Sequence, residues 1–138
     1  MHAQHSFEVR TGSHSEMQDI TDRVSEAVRA SGIRDGLVTV YVPHTTAGVT
    51  VNENADPDVV HDLLAALEEA VPWRRPFHRH SEGNSDAHVK SSLVGCCATI
   101  PLSGGRMALG TWQGIYFCEF DGPRTRRCVV TVLGESQI

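Results

Sequence analysis

An α+β domain with a mixed or antiparallel sheet is the fold class this 138-residue chain predicts. Three observations carry it. Two apolar stripes at helical spacing lie in the first half: Met17, Ile20, Val24, Ala27 and Val28, then Val60, Leu63, Leu64 and Leu67. The C-terminal part alternates strand-like apolar runs with tight-turn signals. No Gly-rich phosphate loop follows a strand, so a doubly wound nucleotide-binding fold loses support.

The elements follow in order. Ser6 to Arg10 alternates Phe7 and Val9, the pattern of an opening strand. The first stripe predicts a helix, started by a capping box of Ser15 and Gln18 or, one turn later, by Thr21; Gly32 stops it. Leu37 to Val42 is rich in β-branched residues and reads as a strand. Pro43 cannot donate to a ladder, so pairing should end just before His44. Ala47 to Val51 reads as another strand. Asp56 as N-cap and Pro57 at the first helical position begin a second helix, which should end near Val71-Pro72. Trp73 to Asp86 is polar and irregular, and a short helix is expected from Ala87 to Leu93. Ala98 to Leu102 and Met107 to Leu109 flank the hairpin turn Ser103-Gly104-Gly105-Arg106. Ile115 to Phe120 and Cys128 to Leu133 flank a second turn, Asp121-Gly122-Pro123-Arg124.

Bulk properties narrow the function classes. The length suits one domain over residues 1–138. A formal charge of −5 gives no basic field for nucleic acid or an anionic membrane. Two arginine clusters (Arg74, Arg75 and Arg79; Arg124, Arg126 and Arg127) suit an anion, but a solvated rim is the preferred reading. No apolar run approaches the ~18 residues of a membrane helix, and Met1 to His5 has no secretory pattern. A cytoplasmic chain is expected. Cys96, Cys97, Cys118 and Cys128 read as small buried hydrophobes in a reducing compartment.

Histidines are the sharpest chemical signal. His44 sits where a strand ends, His88 opens the short helix, and His78 and His80 point the same way on an extended segment. Imidazole is the commonest metal ligand, and catalytic zinc often takes three protein ligands plus water. These histidines fit that role or a plain structural one. Glu53, Asp56, Glu82 and Asp86 lie near in sequence and suit a metal shell, a positioning role or a general base. Asn52, Asn54 and Asp56 also suit turn and cap chemistry. Thr111-Trp112-Gln113 begins a strand; Trp112 fits the core, or with Gln113 the wall of a pocket. Lys90, Arg106 and Arg124 are candidate phosphate partners.

Taken together these motifs resemble the YjbQ family, also described as secondary thiamine-phosphate synthase enzymes. The resemblance runs from about Phe7 to Gly134. It rests on His44-Thr45-Thr46-Ala47 leading into Asn52-Glu53-Asn54-Ala55-Asp56-Pro57; on Gly83-Asn84 with Ala87-His88-Val89-Lys90-Ser91-Ser92-Leu93; and on Leu109-Gly110-Thr111-Trp112-Gln113 with Glu119-Phe120-Asp121-Gly122-Pro123-Arg124. It implies a sheet curled into a barrel-like sandwich with two main helices and one short one, and a homotrimer. It implies a polar pocket at the subunit boundary where His44, His80 and His88 hold a divalent metal, zinc first among the candidates. Glu53, Glu82, Trp112 and Gln113 would be catalytic, and Thr45, Asn52, Asn54, Lys90, Arg106 and Thr111 would bind substrate. The implied reaction joins a hydroxymethylpyrimidine diphosphate to a thiazole phosphate, with Mg²⁺ or the bound metal and Lys90 or Arg106 meeting the phosphates. Two other functions fit the same residues: a metal-dependent hydrolase of a small phosphorylated or cyclic substrate, and a trimeric binding protein without catalysis.

Overall fold

The computed structural model describes residues 1–136. The elements are β1 (His2–Arg10), β2 (Glu16–Asp19), α1 (Thr21–Ser31), β3 (Asp35–Tyr41), β4 (Ala47–Glu53), α2 (Pro57–Ala70), α3 (Ser85–Val94), β5 (Cys97–Ser103), β6 (Arg106–Met107), β7 (Gln113–Glu119) and β8 (Thr125–Glu135). They form an α+β fold of three helices and two sheets, one sheet strongly curled. The larger sheet has the order β1-β8-β3-β5-β6 and the smaller β2-β7-β4. Every strand pairing is antiparallel.

Alternation explains the larger sheet. In β3, Val38 and Val40 point inward while Leu37 and Tyr41 face out, and in β8 Cys128, Val130 and Val132 do the same. These side chains meet Val24, Ala27 and Val28 of α1 and Val49, Ile115 and Phe117 of the smaller sheet in the main core. β7 is different. It is buried from Gly114 to Glu119, because its two faces serve two cores. Ile115 and Phe117 enter the main core, while Tyr116, Cys118 and Phe120 pack with Ala87 of α3 and with Val60, Leu64 and Leu67 of α2. A continuous apolar run is what such a double-sided strand needs.

Several boundaries differ from the sequence expectation. Met17 belongs to β2, not to the first helix; it pairs with Cys118, and the helix begins at Thr21. Pairing along β7 overrides the helical spacing there, and Asp19 closes the strand by accepting the Thr21 N–H at 2.9 Å. Gly32 ends α1 in the left-handed conformation, as its position predicts. Asp56 caps α2 through the Asp58 N–H, again as predicted. Helix α3 starts two residues earlier than Ala87 and runs to Val94. β6 is the short pair Arg106–Met107. Cys96 and Cys97 are exposed, a correction to the reading of all four cysteines as buried, whereas Cys118 and Cys128 are buried. Cys96 lies just before β5 and Cys97 begins it opposite Tyr41, and neither belongs to the two cores.

Candidate functional site

Three chain segments bring polar groups to one end of β4. The loop after β3 supplies His44, Thr45 and Thr46; the segment before α3 supplies His80 and Glu82; α3 supplies His88. Together with Asn84, Asp121, Arg124 and Arg126 they line a pocket of about 280 Å³. A neighbouring hollow of about 500 Å³ shares His44, Thr45 and His88 and adds Ala47, Ser91, Ser92, Gly95 and Cys96. What holds α3 at this distance is a close backbone approach. The Val49 N–H donates to the Gly95 carbonyl at 3.0 Å, and a Cβ at Gly48 would lie 2.5 Å from that oxygen. Only glycine fits there. Ser91 adds a hydroxyl bond to the Thr45 carbonyl at 2.6 Å.

The pocket floor is a buried ion pair. Arg126 is 6% exposed and Glu119 0% exposed. Arg126 donates from Nε to both Glu119 oxygens, at 2.9 and 3.2 Å, and from Nη2 to Thr46 Oγ1 at 2.8 Å. Thr11 donates to the same carboxylate at 2.7 Å. Burial pushes the Glu119 carboxyl up, but the hydrogen bonds from Arg126 and Thr11 and the Arg126 charge outweigh it and hold it below the usual range. The hydrogen bonds of Arg126 among the described residues run from Nε and Nη2. Nη1 is left to meet whatever occupies the pocket that Arg126 lines. Arg124, half-exposed, is held by Asp121 at 2.8 Å on the rim, and Asn84 reaches the same carboxylate from the other side at 2.8 Å.

His44 is tuned by this floor. Its Nε2 accepts the Arg127 N–H at 2.9 Å, so the neutral ring carries its proton on Nδ1. Burial, and next the Arg126 charge, lower its pKa from the ordinary value of 6.5. Both effects favour the neutral ring, and the Arg127 N–H on Nε2 leaves Nδ1–H as the donor.

Of the residues singled out from the sequence, His44, Thr45, His80, Glu82 and His88 come together here. His78 does not; its Nδ1 accepts the Arg75 N–H at 3.3 Å. Lys90 is turned away into the protein, where Asp86 at 3.0 Å and Glu68 at 2.7 Å neutralise it. Arg106 lies beside Arg29, lining a separate cavity. Asn52, Glu53, Asn54, Thr111, Trp112 and Gln113 gather at the opposite end of β4 and β7, where Glu53 pairs with Gln113. Seven residues of strand at roughly 3.3 Å each put about 20 Å between that end and His44. Trp112 is 63% exposed and is not a core residue. It stands on the turn in which the Gly110 N–H donates to Gln113 Oε1 at 2.8 Å, and no apolar layer covers that turn. Asn54 reaches across Gly114 to Asp19 at 3.2 Å, which is capping and turn chemistry.

Arg126, expected on a solvated rim, is instead buried and lines the pocket. Its signal was phase. Arg126 alternates with Cys128, Val130 and Val132, so it shares their inward face.

The donor set can be weighed against a metal ion. The rings of His80 and His88 meet at 5.4 Å between centroids and an interplanar angle of 83°. Two imidazoles on one tetrahedral zinc, with Zn–N near 2.1 Å, stand about 5 Å apart. Glu82 Oε2 lies 4.0 Å from His80 Nε2. The His80 and His88 rings therefore stand at the spacing of two ligands on one metal, with Glu82 beside His80. His44 would join them only by releasing the Arg127 N–H. Among the described residues, no group of three or more His, Cys, Asp or Glu side chains is placed to hold a metal ion.

A curled α+β domain with a polar, histidine-lined pocket over a buried arginine–glutamate pair is the class defined so far. The chain belongs to the YjbQ family, matching the description "UPF0047 protein YjbQ-like" over residues 5–135. It is 50% identical over 129 residues to the UPF0047 protein YugU of Bacillus subtilis, covering 94% of this chain and 98% of that one. A UPF0047 protein of Methanocaldococcus jannaschii is also 50% identical, with 94% and 93% covered. Among solved structures, a YjbQ/UPF0047 protein of Clostridium acetobutylicum superposes with a TM-score of 0.89 at 49% identity, covering 91% and 96%. A YbjQ-like protein of unknown function from Sulfolobus solfataricus reaches 0.94 at 33% identity, covering 98% and 99%. Among the described residues no helix is long and apolar enough to cross a membrane.

Proposed function

We propose that this chain is an enzyme for a small phosphorylated substrate, with the histidine pocket as its centre. One observation carries this: a buried, immobilised guanidinium, Arg126, lines the same pocket as three imidazoles and Glu82. A fixed cation whose Nη1 is free of protein partners is a preorganised anion site, and imidazoles beside it suit acid–base work.

Arg126 and the rim guanidinium of Arg124 take the phosphate oxygens. His44 Nδ1–H adds a neutral donor beside them. His80 and His88 would hold a divalent metal, zinc or Mg²⁺, with Glu82 beside them, and that metal would supply Lewis-acid charge to a departing oxygen. The finer form of the proposal is the reaction implied by the family resemblance. The bond between a pyrimidine methylene carbon and a diphosphate oxygen breaks, that carbon joins the thiazole nitrogen, and diphosphate leaves. The pocket residues hold the two anions and exclude water from the reacting carbon. A homotrimer belongs to the same proposal: α2 has no buried residue, and Val89 and Leu93 of α3 are exposed, which leaves apolar surface for a second copy.

Metal content and thiamine-phosphate formation, measured on the same preparations, test this. His88→Ala should lose both. His44→Gln should keep the metal and lose most of the activity, because its ring is a donor rather than a ligand. Unchanged metal in the His88→Ala protein would sink the ligand assignment.

A further inference from the structure

A second cavity lies at the other end of β3, between α1 and the β5–β6 hairpin. It measures about 420 Å³ and is lined by Ser25, Val28, Arg29, Gly105, Arg106, Met107 and Leu109. It shares no residue with the histidine pocket. The length of β3 separates the two by about 20 Å, from seven residues at roughly 3.3 Å each.

Its charge balance is unusual for an acidic protein. Arg29 from α1 and Arg106 from β6 both line it, and neither joins any of the side-chain ion pairs of the described residues. A third guanidinium, that of Arg34, stands at the rim. It donates to the Gly104 carbonyl at 3.0 Å, and its Nη1 lies 3.3 Å from where a Cβ of Gly105 would be. No carboxylate lines the cavity. Asp35, at the start of β3, accepts the Gly104 N–H at 3.2 Å. The floor is apolar: Val28 is in the main core, and Met107 and Leu109 pack against that core.

We propose that this cavity is a binding site for a small organic anion, a carboxylate or phosphate carried on a short apolar body. Arg29 and Arg106 approach from two different elements and can each offer two parallel N–H bonds to one planar or tetrahedral anion. Val28, Met107 and Leu109 cover the apolar body, which a free inorganic ion would leave unused. The site is independent of the histidine pocket and of the function proposed for it.

Backbone-amide NMR titration of the full chain tests this, with benzoate as the probe and acetate as its truncated form. Benzoate should shift the amides of Ser25 to Arg29 and Gly105 to Leu109 saturably. Acetate should bind about tenfold more weakly, since it lacks the ring that covers the floor. Arg29→Ala with Arg106→Ala should weaken benzoate at least about tenfold, the loss of one charge-assisted hydrogen bond or more. Both arginines are exposed, so the rest of the spectrum should stay in place. No saturable shift in these two segments would overturn the proposal. So would equal affinity in the double variant, equal affinity for acetate, or shifts confined to His44 and residues 124–127.

Discussion

His44 shows how one side chain is set by three neighbours. Burial and the Arg126 charge lower its pKa, and the Arg127 N–H fixes which nitrogen holds the proton. The sign of its effect on stability follows. The unfolded chain takes up a proton near the ordinary value of 6.5, while the folded chain resists it until lower pH. This group therefore costs no stability above that value and destabilises the fold progressively as pH falls between the two pKa values. Melting curves from about pH 7.5 to pH 5 should show the wild type losing stability relative to His44→Gln; parallel curves would mean that His44 titrates alike in both states. The cysteines give a second check. Burial pushes the thiols of Cys118 to about 12 and Cys128 to about 11, while Cys96 and Cys97 are exposed. A thiol reagent should modify Cys96 and Cys97 in the native protein and reach the other pair only on unfolding. At this scale the sequence marked His44, His80, His88 and Glu82 by their place beside apolar segments, and the fold brings the four to one pocket. The sequence misled at Trp112, which suits a core by composition but stands on an uncovered turn, and at Arg126, whose phase along β8 outweighs its charge.

Among the elements, α3 joins site and scaffold. Its His88 faces the pocket, while Asp86 and Lys90, on another face, are sealed in the protein. A lysine at this place reads as a phosphate ligand, yet its ammonium already has two carboxylate partners. Lys90→Met leaves Asp86 buried without its cation. It should cost about 3–5 kcal/mol in a denaturant titration, the typical result of breaking a buried pair. At a temperature where the variant is still folded, phosphate affinity should be unchanged; a large loss would return Lys90 to the site. Element order was legible wherever Gly, Pro or Asp marked an end, as at Gly32 and Asp56-Pro57. It failed at β2, whose four residues carry too little pattern to compete with the helical spacing that follows.

Across the whole molecule, most of the polar residues marked out by sequence fall into two groups at opposite ends of the smaller sheet, while Lys90, Arg106 and His78 join neither, and sequence proximity could not separate them. Glu53 lies only nine residues from His44, yet an extended strand converts those residues into about 20 Å. In the proposed trimer, light scattering should give the mass of three chains, and a monomer would leave α2 and the outer face of α3 uncovered. The fold class itself was readable because two kinds of periodicity, helical and strand, divide the chain cleanly, while the curl of the sheet was legible only through the family resemblance.

The double burial of β7 has a consequence for how such a chain can change over time. Loss or gain of one residue in β4 or β7 would reverse which side chains enter which core along the rest of the strand. Insertions and deletions should therefore be purged from these strands and tolerated between residues 72 and 84, the stretch that delivers His80. The two ends of the sheet are thus held at a fixed spacing through descent, while the arm carrying one of the histidines is free to vary in length.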